Sequence, residues 1–281
     1  MRHARLHAWR AGTIPLVAWL AWAAAVAPGG SQTSPPSPAL TRGEMAEFLR
    51  TADVVSSKAL STGVTKPLKM TLSDGSITHD AVFQAVDQNV PIQRMANGHT
   101  EINFRDSYHF NIAASGLAEL LGLGDMVPAT VERKWEGRTG SLAWWIDWKW
   151  DETMRMKENL RPPDPVDWAK QQNRMRVFSE LVYDTDRNTG NQLITEDWHL
   201  WMVDFTRAFR VANGLFREEN VQRCDRSLLS AIKALTPETV ASATAPHLLA
   251  GEIKALLKRR DRLVARIDTL VKERGENLVL Y

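Results

Sequence analysis

Three prolines, Pro162, Pro163 and Pro165, fall within residues 161–167 and divide this chain into halves of different character. Proline has no backbone N–H and breaks a helix behind its first turn, so this segment cannot run through the middle of a regular element. Ahead of it the patterning is rich in strands. Residues 69–72 and 80–86 flank a turn at residues 73–76, and Asp74-Gly75 between alternating segments signals a hairpin. On the second strand Val82, Gln84 and Val86 share one face. Residues 127–134 are β-branched enough for a third strand, and residues 141–150 carry Trp144, Trp145, Trp148 and Trp150. Two helices interrupt the strands. Thr41 caps a short one with Met45, Phe48 and Leu49 on one face. Asp106 is placed to cap another over residues 107–121, which Gly122 and Gly124 stop. Behind the prolines, residues 168–183 read as a helix. The last helix, 252–273, sets Ile253, Leu256, Leu257, Val264, Ile267, Leu270 and Val271 at helical spacing. Its Lys254, Lys258, Arg259, Arg260, Arg262 and Arg266 read as a solvated face. The pattern predicts an α+β fold of two lobes around a cleft, a small β-rich lobe over residues 40–160 and a helical lobe over 161–281.

The first 27 residues read differently. Arg2, Arg5 and Arg10 precede an apolar run from Ile14 to Ala27 that ends in Ala25-Val26-Ala27, the layout of a secretory signal. The run is shorter than the ~20 residues of a comfortable membrane span, which favours cleavage, while Pro28 leaves an uncleaved anchor open. Residues 28–39 are rich in Gly, Ser and Pro and read as a tether. The expected location is periplasmic or extracellular, with membrane contact only through this N-terminal segment.

Charge excludes one class of partner. Of 35 Lys and Arg residues, three lie in the first 27, which leaves 32 against 33 acidic ones, and a near-neutral body has no field to attract nucleic acid. The single cysteine, Cys224, forbids an intrachain disulfide and reads as a small buried hydrophobe. The seven histidines show no metal-ligand spacing.

The chemistry concentrates in two stretches, Asp184-Thr185-Asp186-Arg187-Asn188-Thr189-Gly190-Asn191 and Trp201-Met202-Val203-Asp204-Phe205. The first has oxygens at alternate positions, as a calcium loop does. An EF-hand loop wants glycine sixth and glutamate twelfth, whereas Gly190 is seventh from Asp184 and Glu196 thirteenth. A calcium-binding exported module is therefore the weakest reading. In the second stretch an apolar strand delivers Asp204 to its end. Phosphoryl transfer asks for an Asp beside the attacking hydroxyl, an Asn five residues later on a metal, and a further Asp on a metal at the phosphates. Asp186, Asn191 and Asp204 have that order and spacing; an Asx-rich turn before an unrelated strand is the alternative.

Asp-Arg-Asn-x-x-Asn followed by Val-Asp-Phe resembles the catalytic and metal loops of phosphoinositide kinases and of HipA-type bacterial serine kinases. The N-terminal half is similar to the secretory-pathway Golgi casein kinases. Thr62-Gly63-Val64-Thr65, Ala81-Val82-Phe83-Gln84, Asn111-Ile112-Ala113-Ala114 and Val127-Pro128-Ala129-Thr130-Val131 follow their order of motifs. The resemblance covers residues 40–210. It implies a kinase-like fold, Asp186 and Arg187 in the catalytic loop, Asn191 and Asp204 on Mg2+ or Mn2+, and a bound ATP. It also implies a nucleotide site drawn from Gly63, Thr65, Lys66, Lys69, Gln84 and Asn111.

Two departures stand out. Gln84 occupies the place of the phosphate-gripping lysine and Asn111 that of its glutamate partner. An amide pair can keep the strand–helix contact by hydrogen bonding, but the cation at the phosphates is lost. A charge-assisted hydrogen bond contributes about 1.5–3 kcal/mol against ~1 for a neutral one, so ground-state grip on a nucleotide falls tens-fold. Lys66 or Lys69 on the hairpin is a candidate replacement, with a solvated surface lysine as the alternative for each. The expected function is ATP-dependent phosphoryl or nucleotidyl transfer to a protein, lipid or sugar acceptor. A pseudokinase that binds nucleotide, metal or a partner without turnover is the second reading.

Overall fold

The computed structural model describes residues 40–60, 66–94, 98 and 100–281. The N-terminal apolar run, the tether, Gly63 and Thr65 lie outside the described residues. Helix α1 (Arg42–Thr51) opens with a reciprocal cap: Thr41 Oγ1 accepts from Glu44 N–H, and the Glu44 carboxylate accepts from Thr41 N–H at 2.7 Å. One face then buries Phe48 and Leu49 against the sheet.

That sheet is antiparallel and five-stranded. Its members are β1 (Asp53–Ala59), β2 (Leu68–Ser73), β3 (Thr78–Gln84), β7 (Arg138–Trp144) and β6 (Thr130–Trp135), in that spatial order. The β2–β3 hairpin forms where Asp74-Gly75 predicts it, on a four-residue loop. Asp74 Oδ1 accepts from Ser76 N–H and Ile77 N–H, both at 2.8 Å, and Gly75 takes φ +89° at no steric cost. A separate two-stranded ribbon, β4 (Asp87–Arg94) with β5 (Thr100–Ser107), projects between β3 and the next helix. Its alternation is weak because β4 has no fully buried position, and Pro91 is tolerated because a ribbon has free edges. Asp106 therefore lies in β5 and is not a helix cap. Helix α2 (His109–Leu120) starts later than the sequence implies, from Tyr108 and without a side-chain cap.

Past the prolines, Asp164 Oδ1 accepts from Val166 N–H at 2.8 Å and Asp167 N–H at 3.0 Å, with Pro165 in the first helical position of α4 (Pro165–Val182). Between the halves lie β8 (Trp150–Asp151) and α3 (Glu152–Lys157). β9 (Gln192–Ile194) and β10 (Leu200–Met202) join β8 in a three-stranded sheet under the cleft. The chain ends in α5 (Arg226–Lys233), α6 (Pro237–Thr244), α7 (Ala250–Arg274) and α8 (Glu276–Val279). No helix among the described residues is long and apolar enough to cross a membrane.

Apolar burial makes two cores. Phe48, Leu49, Met70, Leu72, Phe83 and Leu142 pack between α1 and the five-stranded sheet, and a larger core runs from Phe110 to Val279. Helix α2 contributes Phe110, Ala113, Ala114 and Leu117 to the larger core, although it precedes the proline boundary. Residues 40–281 nonetheless form one compact unit. Cys224 is fully buried, as its composition-based reading expects, and burial pushes its thiol up to about 12. One charge expectation is overturned. Arg259 has no exposed surface; it donates to the carbonyls of Leu181 (2.8 Å), Arg210 (2.8 Å) and Ala212 (2.6 Å). Those carbonyls include one of the orphan acceptors at the end of α4, which is why a cation is retained there rather than solvated.

Candidate functional site

A cleft of about 630 Å³ opens between the five-stranded sheet and the small sheet of β8, β9 and β10. Its upper wall is Val82 and Ala143, paired across β3 and β7, with Trp144 and Trp145 beside them. Leu193 and Met202 form the floor, and Asn191, Asp204, Gln84 and Asn111 supply the polar end. The face shared by Val82 and Gln84 is thus the cleft face, as their alternation implies.

Gln84 and Asn111 meet. Asn111 donates through Nδ2 to Gln84 Oε1 at 2.7 Å and to Ser141 Oγ at 3.1 Å. Its Oδ1 accepts from the backbone N–H of Phe205 at 2.7 Å. One buried amide therefore joins strand β3, strand β7, helix α2 and the loop that carries Asp204. A neutral amide suits this position because it donates and accepts at once, where a carboxylate would only accept.

The loop of Asp204 is shaped by its backbone. Asp204 has φ +57°, a left-handed conformation that Asp tolerates better than most side chains at a cost of roughly 1–2 kcal/mol. Thr206 Oγ1 donates to Asp204 Oδ1 at 3.0 Å, and Val203 N–H donates to the carbonyl of Asn191 at 3.1 Å. That backbone bond sets Asn191 beside the Val203-Asp204 peptide despite their separation in sequence. Asn191 Nδ2 donates to the carbonyl of Asp186 at 3.0 Å, leaving Oδ1 without a donor among the described residues. The Asn191 amide oxygen and the Asp204 carboxylate are hard oxygen donors of the kind that suit Mg2+ or Mn2+.

Asp186 does not line the cleft with Asn191 and Asp204; it lines a second, polar cavity of about 660 Å³ with Arg176, Glu180, Asn188 and Arg217. Asn188 Nδ2 donates to Asp186 Oδ1 at 3.1 Å, and Arg207 approaches Asp186 Oδ2 at 3.7 Å. Arg187, read as a catalytic-loop residue, faces inward. Its Nη1 donates to the carbonyls of Asn191 and Val203, both at 2.7 Å, its Nη2 pairs with Asp184 at 2.5 Å, and its guanidinium covers Phe205. It acts as a staple that positions the two loops and does not reach the cleft. Asp184 is buried against it, so the first oxygen of the supposed calcium loop is already taken.

The candidate replacement cations stand elsewhere. Lys69 pairs with Asp80 at 2.7 Å and sits over the Trp145 ring at 3.9 Å, at the edge of the cleft. Lys66 is exposed at φ +51° ahead of β2. Sequence reasoning assigned nothing to Arg207, which Glu101 of β5 holds at 3.0 Å beside Asp186. Glu101 also pairs with Arg210 at 2.7 Å. Asp106, read only as a helix cap, is a second such residue: burial holds this carboxyl above the usual carboxylate range, with the charge of Asp204 adding to the shift. Both depend on a ribbon whose sequence signal is weak.

No family model matches the sequence, nor does any curated protein. Solved structures do match in shape. A hydra Fam20 solved with sugar superposes with TM-score 0.61 at 14% identity, over 85% of this chain and 92% of that one. A Golgi casein kinase with Mn/ADP bound gives 0.59 at 12% identity, over 85% and 78%. The Helicobacter pylori proinflammatory kinase CtkA gives 0.51 at 11% identity, over 83% and 99%. At such identities the likeness establishes the fold: a two-lobed, atypical kinase-like α+β arrangement, in agreement with the sequence expectation.

Proposed function

We propose that this chain is an exported atypical kinase-like protein that binds ATP with Mg2+ or Mn2+ in the cleft and transfers its terminal phosphoryl, or a nucleotidyl group, to an acceptor. The observation that carries the reading is the Val203–Asn191 backbone bond, which seats an amide oxygen and the left-handed Asp204 at one end of an apolar cleft. Val82, Ala143 and Met202 offer a purine two apolar faces. Asn191 and Asp204 would hold the ion, which when bound draws charge from the phosphates. Asp186 lies on the side of the second cavity, where it would orient an acceptor hydroxyl and take up its proton. The bound Mn/ADP of the Golgi casein kinase structure supports the choice of ligands.

The neutral Gln84–Asn111 pair favours a second reading, a nucleotide-binding pseudokinase. Thermal-shift titrations with Mg-ATP, Mn-ATP and calcium alone separate a nucleotide site from a calcium-binding module, and a turnover assay separates transfer from nucleotide binding alone. With Asp204→Ala the metal-dependent part of the nucleotide shift should vanish. Asp186→Ala should keep that shift and lose turnover by roughly 10²–10⁴-fold. An unchanged metal–nucleotide shift in Asp204→Ala would sink the assignment. A normal shift without turnover in the parent protein selects the pseudokinase.

A further inference from the structure

Outside the cleft, three side chains that are far apart in sequence converge. His109 is the first residue of α2, Glu132 lies on β6, and His247 lies between α6 and α7. The Nδ1 atoms of His109 and His247 are 2.9 Å apart, and each is 4.0 Å from Glu132 Oε2. We propose that His109, Glu132 and His247 form a binding site for a divalent transition-metal ion of the Zn2+ type, which ties α2, β6 and the α6–α7 connection together.

Three arguments support it. The donor set is two imidazoles and one carboxylate, the borderline-soft mixture that suits Zn2+ rather than the all-oxygen set of Mg2+. The spacing is close to what an ion needs. Bonds of ~2.0–2.1 Å in a tetrahedral site place ligand atoms roughly 3.3 Å apart. The two nitrogens need only open by a few tenths of an ångström, while the carboxylate closes by less than one. Finally, the ligands are held from behind and reachable from in front. Tyr108 donates its hydroxyl to Glu132 Oε2 at 3.2 Å, an orienting bond of the kind that tunes metal ligands. The His247 side chain is 8% exposed whereas Glu132 is 43% exposed, so the ion has a solvent-facing side and a position for water.

The site also sits on the architecture of the cleft. Glu132 is the register partner of Ser141, whose hydroxyl accepts from Asn111, and Asn111 is two residues along α2 from His109. An ion there would clamp the first turn of α2 to β6, the strand next to the β7 residue that Asn111 reaches.

The test uses the full chain with saturating Mg2+, so that the cleft's oxygen site does not compete. Titrated Zn2+ should bind one ion per chain and raise Tm, and Co2+ should develop the visible d–d bands of a tetrahedral nitrogen–oxygen site. His109→Ala and His247→Ala should each weaken Zn2+ binding by at least ~100-fold, and Tyr108→Phe by about 10-fold. Asp204→Ala should leave it unchanged, which separates this site from the cleft whatever becomes of the nucleotide reading. The proposal is overturned if Co2+ gives no tetrahedral bands with the parent protein, a measurement that needs no variant to fold. It is equally overturned if Zn2+ binding survives His247→Ala and is lost in Asp204→Ala.

Discussion

At residue scale Asn111 holds four elements together without a charge. It donates to Gln84 and Ser141 and accepts from Phe205 N–H, so the contact between β3, α2 and the Asp204 loop is complete without an ion pair. Restoring either charge alone should harm the protein. Gln84→Lys adds a half-buried cation without its anion, and Asn111→Glu adds a buried carboxylate beside a neutral amide. An unpaired buried charge costs ~3–5 kcal/mol when burial is deep. The double variant should recover much of the loss, giving a coupling in urea unfolding well above the ~0.5 kcal/mol scatter of independent sites. It should also bind Mg-ATP more tightly than the parent. Simple additivity would show that the pair does not act as a unit. Coupling without any gain in ATP affinity would point to a cleft adapted to another ligand.

At the scale of elements, α2 is the part on which both sites depend, and its docking has a sharp requirement at Gly116. A Cβ built there would lie 2.0 Å from the carbonyl oxygen of Ala243 in α6. Helix propensity alone favours Gly116→Ala by ~1 kcal/mol. The close approach decides the sign the other way, since overpacking against backbone costs ~1–3 kcal/mol and α2 cannot yield without moving Asn111. The variant should unfold at lower urea, by up to ~2 kcal/mol net. A stabilised variant would mean that α6 does not pack here. The β4–β5 ribbon is the second element of consequence. It supplies Glu101, which holds Arg207 near Asp186 and pairs with Arg210, so a cation stands beside Asp186 by a route unrelated to Lys66 or Lys69.

For the whole molecule, two cores of unequal size meet along a cleft, and the larger one includes a helix from the first half of the chain. The arginine-flanked apolar run ahead of residue 28 has the layout of a secretory signal, and export would put the molecule where ATP is scarce. That sharpens the contrast between transfer and binding alone. A C-terminal alkaline phosphatase fusion should be active in a bacterial host, and removal of residues 1–27 should abolish that activity. Activity that survives the deletion would refute the signal.

Local physics made part of this legible in advance. The Thr41 cap, the Asp74-Gly75 hairpin, the final amphipathic helix and the start of a helix just past Asp164 each depend on neighbours in sequence, and each is found within a few residues of its expected place. The order and spacing of Asp186, Asn191 and Asp204 lie in the sequence itself, on either side of the β9–β10 hairpin. What sequence could not decide depends on partners tens of residues away. Arg259 reads as one more charge on a polar face until three distant carbonyls enclose it. That Arg187 spends its donors on Asn191, Val203 and Asp184 is visible only once the fold brings those groups to it. The histidines show no ligand spacing because 138 residues separate His109 from His247, and only the docking of α2 against the α6–α7 connection closes that gap to 2.9 Å. Periodicity and caps are set by the chain's own local geometry, whereas a buried polar group is defined by whatever the fold brings to it.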